Sequence, residues 1–310
     1  MSMSKISLAL IASGIASSAF ASPIIMEGDF VRTAVSDNGT LGAGGSTSPG
    51  ILHDATGTAT WSNDDYLTPG TPMEGFYISS TETGIDGNNN SNGYGSSGSG
   101  ITASSMTDTS GTSGYDQSVN WTGFLDTFYT VETDTYYNDS FERISMTTTI
   151  TALQDLTDVE FLRVLDPDPD VYTFSSYHTE NGRGDASNGH ANEDWVHAEG
   201  TSTGLTIGLY SDSDVAHNTG VSSGWSTDPS FYLSGADNGN GDYTIGIAFS
   251  LGDLMADESK SFTYHYIMGD SLDNVDIPVD NPVDVPEPVS IALLGLGLVG
   301  MGAGRRRLKK

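Results

Sequence analysis

The chain has 310 residues, no cysteine and a formal net charge of −30, with 41 acidic side chains against 11 Lys and Arg. The missing thiols exclude disulfides and cysteine-based catalysis, so burial of a core has to hold the fold together. A surface this acidic repels nucleic acid and anionic lipid and favours cations or cationic polymers as partners, with solubility in a salty habitat as the alternative.

At the N-terminus, Lys5 precedes the apolar run ISLALIASGIASSAF and the triplet Ala19-Phe20-Ala21. A charge, an apolar core and small residues in that order predict a secretory signal peptide over residues 1–21, cut before Ser22. Only Arg32, Arg143, Arg163, Arg183 and Lys260 then remain as cations in the body of the chain.

Between Ser22 and Gly269 no window keeps apolar residues at three and four spacing for three turns, whereas period-two runs recur. Strands are predicted around 30–35, 58–61, 76–78, 119–124, 128–132, 159–165, 171–174 and 205–210. The run ERISMTTTITA puts Ile144, Met146, Thr148, Ile150 and Ala152 on one face. Two late runs do the same with Tyr243, Ile245, Ile247 and Phe249, then with Phe262, Tyr264 and Tyr266. The seven residues DLMADES between them predict a hairpin. Residues 81–118 hold few apolar side chains and predict a flexible loop, with a domain linker as the alternative.

Ten or so strands with one apolar face each need a second sheet to cover them. The expected body, residues 22–270, is therefore all-β, a large antiparallel β-sandwich. Strong strands near both ends favour one shared core over two smaller sandwiches. The final strand pair resembles the closing strands of bacterial surface proteins built on a supersandwich.

In LDPDPDVY, Asp166, Asp168 and Asp170 alternate, so an extended segment stiffened by Pro167 and Pro169 turns all three carboxylates to one side. A hard cation such as calcium would relieve their repulsion, and a solvated acidic loop is the alternative. An EF-hand is excluded, because Val171 stands where its glycine belongs and Tyr177 where its bidentate Glu belongs. The oxygen-rich turns at Asp237, Asn238, Asn240 and Asp242 and at Asp86, Asn88 and Asn90 read as chain reversals first and ligands second. His178, His190 and His197 lie among Glu180, Glu193, Asp194 and Glu199 without the H-E-x-x-H pattern of a zinc protease. No G-x-S-x-G motif supports nucleophilic catalysis. Trp61 and Trp121 read as core, whereas Trp195 and Trp225, in polar surroundings, are the candidate sugar-stacking rings.

Residues 271–285 alternate Pro, Asp and Val and predict an extended spacer. Then come Pro286-Glu287-Pro288, sixteen uncharged residues from Val289 to Gly304, and Arg305, Arg306, Arg307, Lys309 and Lys310. As a helix the apolar run spans roughly 24 Å, near the hydrocarbon thickness of a membrane, with its cations held on the cytoplasmic side. This order of features over residues 286–310 resembles the PEP-CTERM sorting signal. The resemblance implies a Gram-negative exported protein, a C-terminal transmembrane sorting helix, and exosortase as the membrane enzyme that removes it. It also implies association with exopolysaccharide, cell surface or biofilm matrix. On this reading the body is a non-catalytic surface or extracellular-matrix protein that binds extracellular polysaccharide, with calcium as its possible ion. The competing expectation is a secreted polysaccharide-active enzyme, a glycoside hydrolase or lyase.

Overall fold

The computed structural model describes residues 22–45, 47–62, 64–67, 74–90, 100–275 and 277–278. The signal peptide and the sorting signal, including Pro286, Glu287, Pro288 and Arg305 to Arg307, lie outside the described residues. In chain order the strands begin with β1 (Ile24–Glu27), β2 (Val31–Val35), β3 (Ile51–His53), β4 (Glu74–Ser80) and β5 (Gly84–Asn89). They continue through β6 (Thr102–Asp108), β7 (Gln117–Leu125), β8 (Tyr129–Tyr137), β9 (Arg143–Ala152) and β10 (Leu156–Leu165). After a short helix α1 (Val171–Phe174) come β11 (Thr179–Arg183), β12 (Trp195–Gly200), β13 (Thr206–Tyr210) and β14 (His217–Ser222). A second helix α2 (Pro229–Leu233) precedes β15 (Thr244–Leu254) and β16 (Ser259–Gly269).

Alternation along these strands produces two faces, and the apolar ones meet. The larger sheet runs β11-β12-β13-β16-β9-β8-β7-β6 and the smaller β14-β15-β10-β4-β5, all antiparallel. β1, β2 and β3 form a third sheet, tied to the larger by the Tyr137 hydroxyl on the Val31 carbonyl (3.2 Å). One cluster of buried side chains extends from Met26 to Met268, so early and late strands do share a core.

The two late apolar runs face inward as their period demands, but they do not form a hairpin. β15 pairs with β10 and β14 in the smaller sheet, while β16 pairs with β9 and β13 in the larger. DLMADES is thus a corner where the chain changes sheets. Phe249 and Phe262 meet across the core with ring centroids 4.4 Å apart instead of lying side by side. The β9 to β10 connection changes sheets beside it, joined by Ala152 N–H to the Glu258 carbonyl and Asp257 N–H to the Ala152 carbonyl.

Three further expectations change. Part of the predicted loop 81–118 is β5 and β6, which are edge strands of the two sheets. An edge strand needs one hydrogen-bonding neighbour and little apolar content, and β6 is exposed along most of its length. Residues 58–61 are not a strand, because the Asp54 carboxylate gathers the N–H groups of Thr56, Thr58 and Thr60 into a turn. The stretch 171–174 is helical instead of extended.

Between the sheets lies a buried ion pair. Arg163 on β10 contacts Glu74 on β4 at 2.5 Å, and both are essentially inaccessible. Tyr266, on β16 of the opposite sheet, accepts from Arg163 Nε (2.8 Å) and donates to Glu74 Oε1 (2.6 Å). Leu41 N–H donates to Glu74 Oε2 at 2.6 Å. Burial pushes the Glu74 carboxyl up while Arg163 and these donors pull it down. Burial likewise pulls the Arg163 guanidinium down, but Glu74 more than offsets this and holds it protonated.

Removing one partner strands the other charge. Arg163→Met should destabilise the fold by about 3–5 kcal/mol, and Arg163→Met with Glu74→Met should recover a large part of that loss. Denaturant unfolding of both variants checks this, and a double variant no better than the single would remove the ion pair from the account.

Candidate acid–base centre at one end of the smaller sheet

β10 and β15 run antiparallel with Leu165 opposite Ile245, so Asp166 leaves β10 where Asp242 approaches β15. The chain then makes an excursion through Asp168, Asp170 and α1 and returns at Thr179. There Thr179 N–H donates to the Gly241 carbonyl (2.9 Å) and Gly241 N–H donates back (3.1 Å). The excursion therefore begins and ends beside Asp242.

The structure divides the three alternating aspartates. Asp170 is fully buried and accepts from Ser202 N–H (2.8 Å), Thr203 N–H (2.9 Å) and the Thr203 hydroxyl (2.6 Å). It clamps the turn between β12 and β13. Its carboxylate is committed, which corrects the expectation that all three share one ion. Among the described residues no group of three His, Cys, Asp or Glu side chains is placed to hold a metal.

Asp166 and Asp168 instead gather with Asp242. Asp168 is only 3% exposed, and its Oδ1 has no hydrogen-bond partner. Burial, together with the charges of Asp166 and Asp242, pushes its carboxyl up to about 8. Burial and the Asp242 charge push Asp166 up to about 7. Asp166 is half-buried and Asp242 exposed, so both are within reach of solvent. Both carboxyls therefore hold their protons well above the ordinary carboxylate range, as a group that donates a proton near neutral pH must.

Sequence reasoning missed the exposed rings that follow Asp166 and Asp168 along the chain. Tyr172, Phe174 and Tyr177 are 54%, 52% and 48% exposed on the same excursion. The available signal was three aromatics within six residues directly after an acidic run, obscured by reading 171–174 as a strand. The expected sugar-stacking rings lie elsewhere. Trp195 is on β12, not in a loop, and is fully buried with no face open to a sugar. It lies over Gly208 on β13, where an added Cβ would come within 2.2 Å of the indole. Trp225 is half-buried on the outer face of the smaller sheet, where its Nε1 donates to the Tyr77 hydroxyl (2.9 Å).

Several other candidates make local contacts. Asn88 pins its neighbours through the Asn38 and Ile101 carbonyls (both 2.9 Å), and Asp237 accepts from Gly239 N–H (2.9 Å) in a turn. Asn240 accepts from Asn181 N–H (2.9 Å). Burial pulls the His197 imidazole down to about 4, so it stays neutral beside Trp195. Glu180 and Glu199 are directly opposed across β11 and β12, where burial and that like charge push Glu199 up.

The PEP-CTERM protein-sorting motif matches residues 284–307. The chain carries a PEP-CTERM sorting signal. The motif implies export, transient anchoring in the membrane and processing by exosortase. No curated protein matches the chain. Among solved structures, the PEP-CTERM body is similar to a bacterial glucoamylase complexed with acarbose, at TM-score 0.51 and 11% identity over 82% of this chain and 33% of that one. A putative kojibiose phosphorylase from the human microbiome matches at TM-score 0.39 and 8% identity, over 80% of this chain and 30% of that one. Heparan sulfate lyase from Pedobacter heparinus matches at TM-score 0.39 and 7% identity, over 79% and 36%. This PEP-CTERM chain spans about a third of the length of these enzymes. At such identities the likeness is one of fold. The expectation of a non-catalytic body is corrected on this point alone: the structure matched at TM-score 0.51 is an enzyme, a glucoamylase.

The acid cluster makes the PEP-CTERM body pH-sensitive in a definite direction. Asp166 and Asp168 have folded pKa values above the ordinary 3.8, so their stabilising contribution is complete below about pH 4 and is lost as pH rises through 7 to 8. Asp168→Asn should raise the thermal midpoint at pH 9 by several degrees and change it little at pH 4. Equal shifts at both pH values would show that burial does not hold the Asp168 proton.

Proposed function

We propose that the exported body is a polysaccharide-active protein of the cell surface or extracellular matrix, with Asp166, Asp168 and Asp242 as its acid–base centre. The observation that carries this reading is the pairing of a half-buried carboxyl, pushed up to about 7, with the exposed Asp242 carboxylate. Asp166 is the proton donor to the departing glycosidic oxygen. Asp242 is the base or nucleophile on the other side of the bond. Asp168, buried behind them and without a donor on Oδ1, favours the protonated state of its neighbourhood as a positioning residue. The exposed rings of Tyr172, Phe174 and Tyr177 offer flat apolar faces to the sugar units beside the bond.

The likeness to glucoamylase supports a carbohydrate-directed body in fold only. The sorting signal supports delivery to the outside, where exopolysaccharide is the substrate class at hand.

Sugar release from a panel of polysaccharides by the full chain tests the proposal. Asp166→Asn and Asp242→Asn should each lower the rate by about 10²-fold or more. The wild-type rate should fall about tenfold per pH unit above 7 as Asp166 loses its proton. Absence of turnover on every glycan, or full activity in both variants, would sink the assignment.

A further inference from the structure

The larger sheet turns one face to the core and leaves the other uncovered. On β8 the alternation that buries Val131, Thr133, Thr135 and Tyr137 points Glu132, Asp134 and Tyr136 outward. There, with β6, β7, β9 and the turn between β6 and β7, they line an open groove of about 600 Å³. This groove is separate from the acid cluster, which lies on the smaller sheet.

Its polar groups are already oriented. Asn120 on β7 stands opposite Asp134, and its Nδ2 donates to both Glu132 Oε1 and Asp134 Oδ1 at 2.8 Å. The two carboxylates are thereby drawn together around one amide. Their other oxygens are acceptors with a spacing set by the strand. Beside them the Tyr115 and Tyr136 rings pack at a 30° tilt with centroids 4.2 Å apart, and the Tyr136 hydroxyl meets the Thr147 hydroxyl at 3.2 Å. Rings packed against each other have lost part of their freedom before any ligand arrives, which lowers the ordering cost of binding. The rest of the lining is Thr and Ser hydroxyl.

Among the described residues no Lys or Arg lines the groove. Two carboxylates without a cation repel uronate and sulfate groups and accept from sugar hydroxyls. We infer that the groove formed by Tyr115, Asn120, Glu132, Asp134, Tyr136 and Thr147 binds neutral, hydroxyl-rich polysaccharide and rejects anionic glycans. The inference rests on reading the body as polysaccharide-directed, and it adds the substrate class and a second, non-reacting place of contact. Neutral sugar presents ring faces to the tyrosines and vicinal hydroxyls to the carboxylates.

Native electrophoresis of the full chain in mild detergent, through gels containing galactomannan, glycogen, hydroxyethyl cellulose or polygalacturonate, tests this directly. Retardation is expected in at least one neutral gel and not in polygalacturonate. Asn120→Ala and Tyr136→Ala should each weaken retention about tenfold. Tyr136→Phe, which keeps the ring, should retain it and serves as the folding control. Asp166→Asn should be retained like the wild type whether or not the chain turns glycan over, so a failure of the acid–base centre and a failure of the groove are read separately. Retention in no neutral gel, retention in polygalacturonate, or full retention of either alanine variant overturns the inference.

Discussion

A guanidinium and a carboxylate withdrawn from water between two sheets constrain the whole architecture. Arg163 and Glu74 belong to neighbouring strands of the smaller sheet, and Tyr266 reaches them from the larger. Unpaired buried charge is costly, so β4 and β10 must keep their register and β16 must lie opposite them. Leu41, between β2 and β3, closes the same network and fixes the third sheet to the arrangement. An apolar core alone tolerates sliding and repacking. A charge pair with directional partners does not.

The same physics, with the opposite outcome, operates at the end of β10. Asp170 is buried and surrounded by donors, so it serves as a structural clamp. Two residues earlier Asp168 is buried beside like charges, with one oxygen unpartnered, and its proton is held. The sheet imposes this difference. β10 ends against β15 where Asp242 arrives, and the excursion through α1 closes on Gly241. A stable fold has no need of three acids gathered at one strand end, and this strained electrostatic arrangement is the kind of place where chemistry is found.

The proposed acid–base centre and the proposed glycan groove suit a polymer better than a small molecule. A polysaccharide spans distances over which separate weak contacts add, and an open face on the larger sheet adds contact without altering the reacting end. The sorting tail fits this division of labour. It concentrates five cations at one end, and exosortase processing removes it from a body whose many acids repel anionic lipid.

Sequence by itself determined the fold class, the inward faces of the strong strands and the address of the protein. Period-two alternation at Ile245, Ile247 and Phe249 and at Phe262, Tyr264 and Tyr266 is a local property of the chain. So is the order of Pro-Glu-Pro, apolar run and cations. Tertiary structure alone decided that those two strands face each other across the core instead of pairing edge to edge, because alternation specifies which side is apolar and not which neighbour covers it. It also decided that Asp242, distant in sequence, joins Asp166 and Asp168 while adjacent Asp170 leaves them, and that Trp195 is buried over Gly208. Such groupings depend on which strand ends meet, and strand order is set by long-range pairing that no local pattern encodes.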